Sequence, residues 1–215
     1  MTNPQPEHDL PLVSIARRHG VSDERVLAAM RATPRSAFVP AESIEEADQD
    51  VPIPIGGRQT TSQPTLIAGM LAALELTGNE KVLEVGTGFG YQSALLAHLA
   101  AEVHSIDRSQ RLVEAAGSNL DAAGIDNVHL HVGDGTLGCA DAAPFDAIVV
   151  AAAAREVPGA LAAQLADGGR MIIPVGAPDA TRVVLYRAVG SEVLPVATVT
   201  AARFVPLVSG PPNEA

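Results

Sequence analysis

The feature that most constrains this chain is the run from Lys81 to Gly90, in which a short apolar segment leads into three glycines at alternate positions. Val82, Leu83 and Val85 form the near-continuous apolar run of a strand buried on both faces, and Tyr91 to Ala101 reads as the helix that follows. Between them, Gly86, Gly88 and Gly90 permit positive φ and carry no Cβ, so a ligand can rest against the backbone and the first helical turn. A dinucleotide fingerprint needs glycines at the first, third and sixth positions, and Tyr91 holds the sixth. A nicotinamide dinucleotide is therefore disfavoured, although a purely structural turn remains open for these glycines.

Glu84, two residues before the first glycine, is expected to point from the strand end into the same crevice and to meet a positively charged ligand group. An acidic strand end followed by G-x-G-x-G resembles the first motif of the class I S-adenosylmethionine-dependent methyltransferases. About twenty-one residues past Gly86, Val103 to Asp107 reads as a second strand ending in an acid. A Rossmann-like unit holds a ribose diol with a carboxylate at that position, so the spacing supports a ribosylated cofactor.

The rest of the chain continues an alternation of strand and helix. Leu12 to Arg18 and Ser22 to Arg31 have helical spacing, Pro34 to Pro40 reads as extended, and the carboxylates of Glu42 to Asp50 are expected to face water. Val51 to Pro64 has no regular period and reads as a loop before a helix at Thr65 to Leu76. Its hydroxyl cluster is, on composition alone, an ordinary helix-entry loop. Beyond the second strand come a helix at Arg111 to Ala123, a strand at Val128 to Val132, the turn Gly133-Asp134-Gly135, a strand at Phe145 to Ala151, a helix at Pro158 to Leu165 and a strand at Arg170 to Val175. Thr181 to Val189, Glu192 to Thr200 and Arg203 to Val208 read as strands, with Gly190-Ser191 as a hairpin turn. Residues 1–9 and the tail from Gly210 are expected to be loose. The predicted fold is α/β: a Rossmann-like, doubly wound, mostly parallel sheet with helices on both faces and antiparallel C-terminal strands.

A length of 215 residues fits one core, and one domain is expected over 1–215, with N-terminal helices and substrate loop in 1–80, a cofactor-binding core in 81–176, C-terminal strands in 177–209 and a tail. A formal charge of −11 without a Lys/Arg cluster argues against a nucleic-acid surface. The polar start and the lack of a long apolar run argue against a signal sequence or membrane span, which places the chain in the cytoplasm; a monomer is expected. Cys139 is the only cysteine and has no adjacent base, so it reads as a small packing residue. His129 and His131 share one face of their strand, but no third His or Cys is near in sequence, and no metal is predicted.

Further stretches combine with the glycine loop. These are Pro34-Arg35 with Phe38-Val39-Pro40; Pro54-Ile55-Gly56 leading to Gln59-Thr60-Thr61-Ser62-Gln63-Pro64; Leu83 to Gln92; Gly133-Asp134-Gly135; Pro144-Phe145-Asp146; Gly168-Gly169-Arg170; and Phe204-Val205-Pro206-Leu207. Through them almost the whole chain resembles the protein-L-isoaspartate O-methyltransferase family. The glycine loop is shared with many methyltransferases, whereas the loop holding Thr60 and Ser62 is specific to this family. The resemblance implies S-adenosyl-L-methionine as cofactor, held by Glu84, Gly86, Gly88, Gly90, Asp107, Asp134 and Gly135, with Asp134 meeting the adenine amino group. It implies Ser62 as the catalytic serine, assisted by Thr60, and isoaspartyl peptides and proteins as substrates. It reverses the helix-entry reading of the hydroxyl cluster. Two departures from the family pattern are Arg58, where glycine is usual, and Asp107, where glutamate is frequent.

The implied reaction is attack of a peptide carboxylate on a sulfonium methyl, giving a methyl ester that closes to a succinimide. Such a carboxylate, with a reference pKa of about 4, is ionised at neutral pH and needs alignment rather than a strong base. Ser62 is thus expected to orient the carboxylate and not to act as a covalent nucleophile. Two alternatives stand beside this reading: a dedicated peptide-maturation aspartyl O-methyltransferase, for which Arg58 speaks, and a catalytically inactive cofactor-binding regulatory module.

Overall fold

The computed structural model describes residues 10–177 and 180–211. The expectations for residues 1–9 and 212–215 lie outside the described residues. Two helices open the chain, α1 (Pro11–Arg18) and α2 (Glu24–Ala32), the second capped by Asp23, whose side chain accepts from the Arg25 and Val26 amides. Strands β1 (Ile53–Gly56) and β2 (Gln59–Thr61) form a small antiparallel hairpin ahead of α3 (Pro64–Ala73). There follow β3 (Lys81–Val85), α4 (Tyr91–Leu99), β4 (Glu102–Asp107), α5 (Gln110–Ala122), β5 (Val128–Val132), β6 (Phe145–Val150), α6 (Gly159–Ala162), β7 (Leu165–Val175), β8 (Arg182–Val189) and β9 (Glu192–Ala201).

Seven strands build one sheet in the order β5-β4-β3-β6-β7-β8-β9, parallel from β5 to β7 and antiparallel at β8 and β9. This is the expected Rossmann-like arrangement, and the strand order reverses between β3 and β6. In such sheets the carboxyl ends of strands at the reversal flank the ligand crevice. Helices cover the two faces unevenly. On one face, α1 to α4 and Leu120 of α5 pack on Val82, Val103, Val149 and Ile172. On the other, Leu83, Val85, Ile106, Ile148 and Met171 meet little more than Leu161 of α6 and the loop around Cys139.

Four segments differ from the sequence expectation. Arg35–Phe38 winds into a 3-10 turn rather than an extended run, which buries both Arg35 and Phe38. Val51 to Pro64 is a paired hairpin rather than an unpaired loop, because Gly57 and Arg58, at φ 57° and 60°, supply the left-handed two-residue turn that matches strand twist. The helix expected at Pro158 to Leu165 is only four residues long, and Gly168-Gly169 lies within β7 where the register against β6 shifts. Arg203 to Val208 makes a single bridge, Pro206 to Ala153, and no strand.

Candidate active site

The carboxyl ends of β3, β4 and β6 open into a cleft of about 870 Å³, solvent mouth included. It is lined by the glycine loop with Asp107, by Ile55 and Gln59 to Ser62 of the β1–β2 hairpin, and by the C-terminal segment Val205 to Val208, the last two forming walls. That segment is held by backbone hydrogen bonds, 2.8 Å from the Ala153 amide to the Val205 carbonyl and 2.7 Å from the Leu207 amide to the Ala153 carbonyl.

Gly86 has φ 100°, which disfavours a side chain, and a Cβ there would also crowd the Ala151 Cβ at 3.2 Å. The Gly88 amide donates to Asp107 Oδ2 at 3.1 Å, and the Ser109 amide donates to Oδ1 at 3.0 Å. Asp107 therefore fixes the glycine loop from the end of β4 and keeps lone pairs for hydroxyl donors. Gly135 lines the cleft by close approach rather than by positive φ: a Cβ there would meet Val85 Cγ1 at 2.5 Å.

Three of the expected cofactor residues sit elsewhere than foreseen. Glu84 is fully buried inside β3 and does not line the cleft; its Oε2 accepts from Ser93 and, at 2.6 Å, from Ser105, while Oε1 has no partner among the described residues. Burial pushes its pKa up to about 7, and the hydrogen bonds from Ser105 and Ser93 offset this only in part. The reason is position: in a strand covered on both faces, the fourth residue faces neighbouring elements rather than the strand end. Gly90 is the N-cap of α4 and faces Ala116 of α5, outside the cleft. Asp134 turns to its own loop, accepting from the Thr136 amide and hydroxyl at 2.9 and 2.6 Å and from the Gly210 amide at 2.7 Å. Burial opposes its ionisation, but these hydrogen bonds prevail and its pKa lies below the usual carboxylate value.

On the hairpin wall, Thr60 is exposed and Ser62 half-buried, and both line the cleft. The helix-cap alternative for Ser62 has no support in the geometry. Asp50 takes that part for α3, accepting from the Thr65 amide at 3.0 Å and the Thr65 hydroxyl at 2.7 Å, so this carboxylate is not merely solvated. The Ser62 hydroxyl makes no hydrogen bond among the described residues. Its carbonyl accepts from Arg35 at 3.2 Å. Arg35, only 2% exposed, also donates to the carbonyls of Gln49 at 3.0 Å and Val51 at 2.9 Å, so one buried guanidinium ties the hairpin to the segment before it. Burial lowers its pKa, against the charges of Tyr91 and Asp50. Tyr91 is itself pushed up to about 12 by burial.

Comparison with known proteins now bears on this arrangement. Residues 7–211 match the family described as Protein-L-isoaspartate(D-aspartate) O-methyltransferase. The chain belongs to this family. A protein-L-isoaspartate O-methyltransferase of Roseiflexus castenholzii is 45% identical over 199 residues, covering 93% of this chain and 91% of that protein. A solved protein-L-isoaspartate O-methyltransferase with 28% identity superposes with a TM-score of 0.83 over 94% of this chain, which spans 66% of that protein's length. A Plasmodium falciparum structure described as a beta-aspartate methyltransferase in complex with S-adenosyl-L-homocysteine covers 95% of this chain and all of its own, at 23% identity and a TM-score of 0.83.

Within this isoaspartate methyltransferase fold, sequence reasoning missed the clamp by Arg35, the cap by Asp50 and the wall from Val205 to Val208. Arg35 carried a signal, an arginine between prolines in an otherwise apolar stretch, but its three acceptors lie 14 to 27 residues away and only the fold joins them. The expectation that no third ligand approaches His129 and His131 is also corrected: His104, on the adjacent strand, has its ring 4.9 Å from that of His129 and 5.3 Å from that of His131. Cys139 behaves as foreseen, its thiol pushed up to about 11 by burial and by Asp141.

Proposed function

We propose that this protein transfers a methyl group from S-adenosyl-L-methionine to the carboxylate of L-isoaspartyl residues in damaged proteins and peptides, starting their repair through a succinimide. The observation that carries the reading is that one cleft brings the glycine loop and Asp107 together with the hairpin bearing Thr60 and Ser62. The residues fit a ribosylated sulfonium cofactor. Gly86, Gly88 and Gly135 put no side chain into their part of the cleft, Asp107 keeps acceptor capacity, and Arg108, which lines the cleft, holds a buried Nε–H with no partner among the described residues. When bound, S-adenosylmethionine supplies an electrophilic methyl group.

The chain's own residues then have three tasks. Asp107 and the glycine loop hold the ribose side of the cleft, with Gly135 closing against Val85. Ser62 orients the substrate carboxylate with a hydroxyl that no other described group claims, and Thr60 assists from the mouth. Phe38, Ile55, Ile67 and Leu207 exclude water, which favours mutual neutralisation of anion and cation in the transition state. Neither a histidine nor a cysteine lines the cleft among the described residues, which suits a nucleophile that is ionised without a base. The single seven-stranded sheet supports one domain over 1–215, with Glu84, Gly90 and Asp134 shaping the cofactor site from behind it. We also assign a monomer working in the cytoplasm without nucleic acid, in keeping with the charge of −11; among the described residues no helix is long and apolar enough to cross a membrane.

The test is Ser62→Ala. Removing one oriented hydrogen bond at a reacting group should lower kcat about a hundredfold or more, with Tm and S-adenosylhomocysteine affinity close to the parent. Turnover on isoaspartyl and aspartyl forms of one peptide, calorimetric titration and thermal melting measure all three; parental turnover in the mutant removes Ser62 from the reaction, and no turnover by the parent on the isoaspartyl form refutes the proposal.

A further inference from the structure

The sparsely covered face of the sheet carries a second cluster, at the far end of β4 from the cleft. Glu102 and His104 share one face of β4, and His129 and His131 share the same face of β5. His104 and His129 are register partners, and their rings approach to 4.9 Å. Two nitrogens meet one carboxylate oxygen: His104 Nε2 is 3.0 Å and His129 Nε2 is 3.4 Å from Glu102 Oε1. Ligand atoms of all three residues lie within 4.8 Å of one another.

We propose that Glu102, His104 and His129 bind a divalent cation of the zinc class, with solvent in the fourth position. A tetrahedral zinc ion with nitrogen and oxygen ligands at 2.0–2.1 Å has ligand-to-ligand edges of about 3.3 Å. Two of the three edges, at 3.0 and 3.4 Å, are already close to that length. The third closes by rotation of His129, whose side chain is 52% exposed, whereas His104 at 11% is held in place by its neighbours. Two imidazoles and a carboxylate select zinc, cobalt or nickel over magnesium or calcium, which prefer all-oxygen sets.

His131 completes the site from behind. Its Nε2 lies 3.0 Å from His104 Nδ1, the position from which an outer group fixes the tautomer of a metal-bound imidazole. Without metal, His104 donates through Nε2 to Glu102 and accepts at Nδ1 from His131. With metal on Nε2, the His104 proton resides on Nδ1 and His131 accepts it, so each ring changes tautomer and no proton is lost. The ion staples the edge strand β5 to β4. It takes no part in the cleft chemistry, because the five residues from Glu102 to Asp107 span about 16 Å of strand.

Cobalt(II), whose ligand-field absorption reports coordination number, is the probe for the untagged full-length protein, with zinc added in competition. The expected result is one equivalent of cobalt with the strong visible bands of a four-coordinate ion, displaced by zinc, and a Tm raised by zinc. His129→Ala and Glu102→Gln should abolish the bands while leaving S-adenosylhomocysteine binding intact, His131→Ala should weaken metal binding about 10- to 100-fold, and His19→Ala should change nothing. Bands that persist in His129→Ala, or no saturable binding by the parent, overturn the proposal.

Discussion

Individual residues show most clearly how environment sets chemistry. Glu84 has its pKa raised by burial to about 7, from 4.5 in the unfolded chain. Between these values the native state binds the extra proton, so the stability associated with this group is complete below pH 4.5 and is lost as pH rises through 7. Glutamine in its place keeps an acceptor for Ser93 and Ser105 and carries no charge. The stability of Glu84→Gln relative to the parent should therefore rise by on the order of 2–3 kcal/mol between pH 5 and pH 8, as read from urea titrations; a constant difference would mean that Glu84 titrates normally. Arg58 shows a backbone effect. At φ 60° it pays the left-handed cost of about 1–2 kcal/mol that glycine avoids, while glycine loses more entropy on folding. Arg58→Gly should raise Tm by about 1–4 °C, measured by calorimetry. The sequence showed Arg58 as a departure from the family's usual glycine; the left-handed turn accounts for that glycine, and nothing in the structure explains the arginine.

At the scale of elements, the hairpin wall depends on a residue outside it. Arg35 donates to the part-buried carbonyls of Gln49, Val51 and Ser62. Arg35→Met leaves them without that donor, and at about 1 kcal/mol for each part-buried carbonyl Tm should fall by roughly 6–12 °C. Below the new melting point kcat should fall too, because Ser62 loses its backbone anchor, while Arg35→Lys, with three donors but no planar fork, should lie between. A mutant with parental kcat below its melting point would separate the clamp from catalysis. This same region marks where the sequence stopped being legible. The β3–β4–β5 alternation could be read because each strand is a short local segment set off by a helix and a glycine or acidic turn. The hairpin, the Arg35 clamp and the His104 neighbourhood could not, because their partners are brought together only by chain crossings: Arg35 needs Ser62, 27 residues on, and His104 needs His129 on the next strand. Asp107 at the end of β4 and Gly135 in the turn after β5 could be placed at the cleft for the same local reason, whereas Glu84 was misplaced because a strand buried on both faces gives no alternation from which to tell its facing.

For the molecule as a whole, the cleft is closed by chain from its two ends. The hairpin wall precedes the sheet and the Val205 to Val208 wall follows its last strand, so no single segment of sequence contains the site. The C-terminal wall adds no strand and rests on few ties: the backbone bonds to Ala153, Gly210 on Asp134 at 2.7 Å, and Arg108 on the Pro211 carbonyl at 3.3 Å. The sheet ends before it at Ala201. Ending the chain after Ala202 therefore removes a wall while sparing every strand, at the cost of the packing of Phe204 on the main core. Cofactor affinity should fall at least tenfold, since the apolar surface of Val205, Leu207 and Val208 no longer shields the bound ligand, at about 25 cal/mol per Å² of area removed from water. Gly210→Pro is the finer test. It deletes the amide donor to Asp134 and cannot adopt φ 115°, so it loosens the end of the wall without touching a lining side chain. Calorimetric titration with S-adenosylhomocysteine should show weaker binding for both, larger for the truncation, with far-ultraviolet circular dichroism preserved. Parental affinity in the truncated protein would mean that the glycine loop and hairpin alone hold the ligand, and that the C-terminal segment serves the core rather than the site.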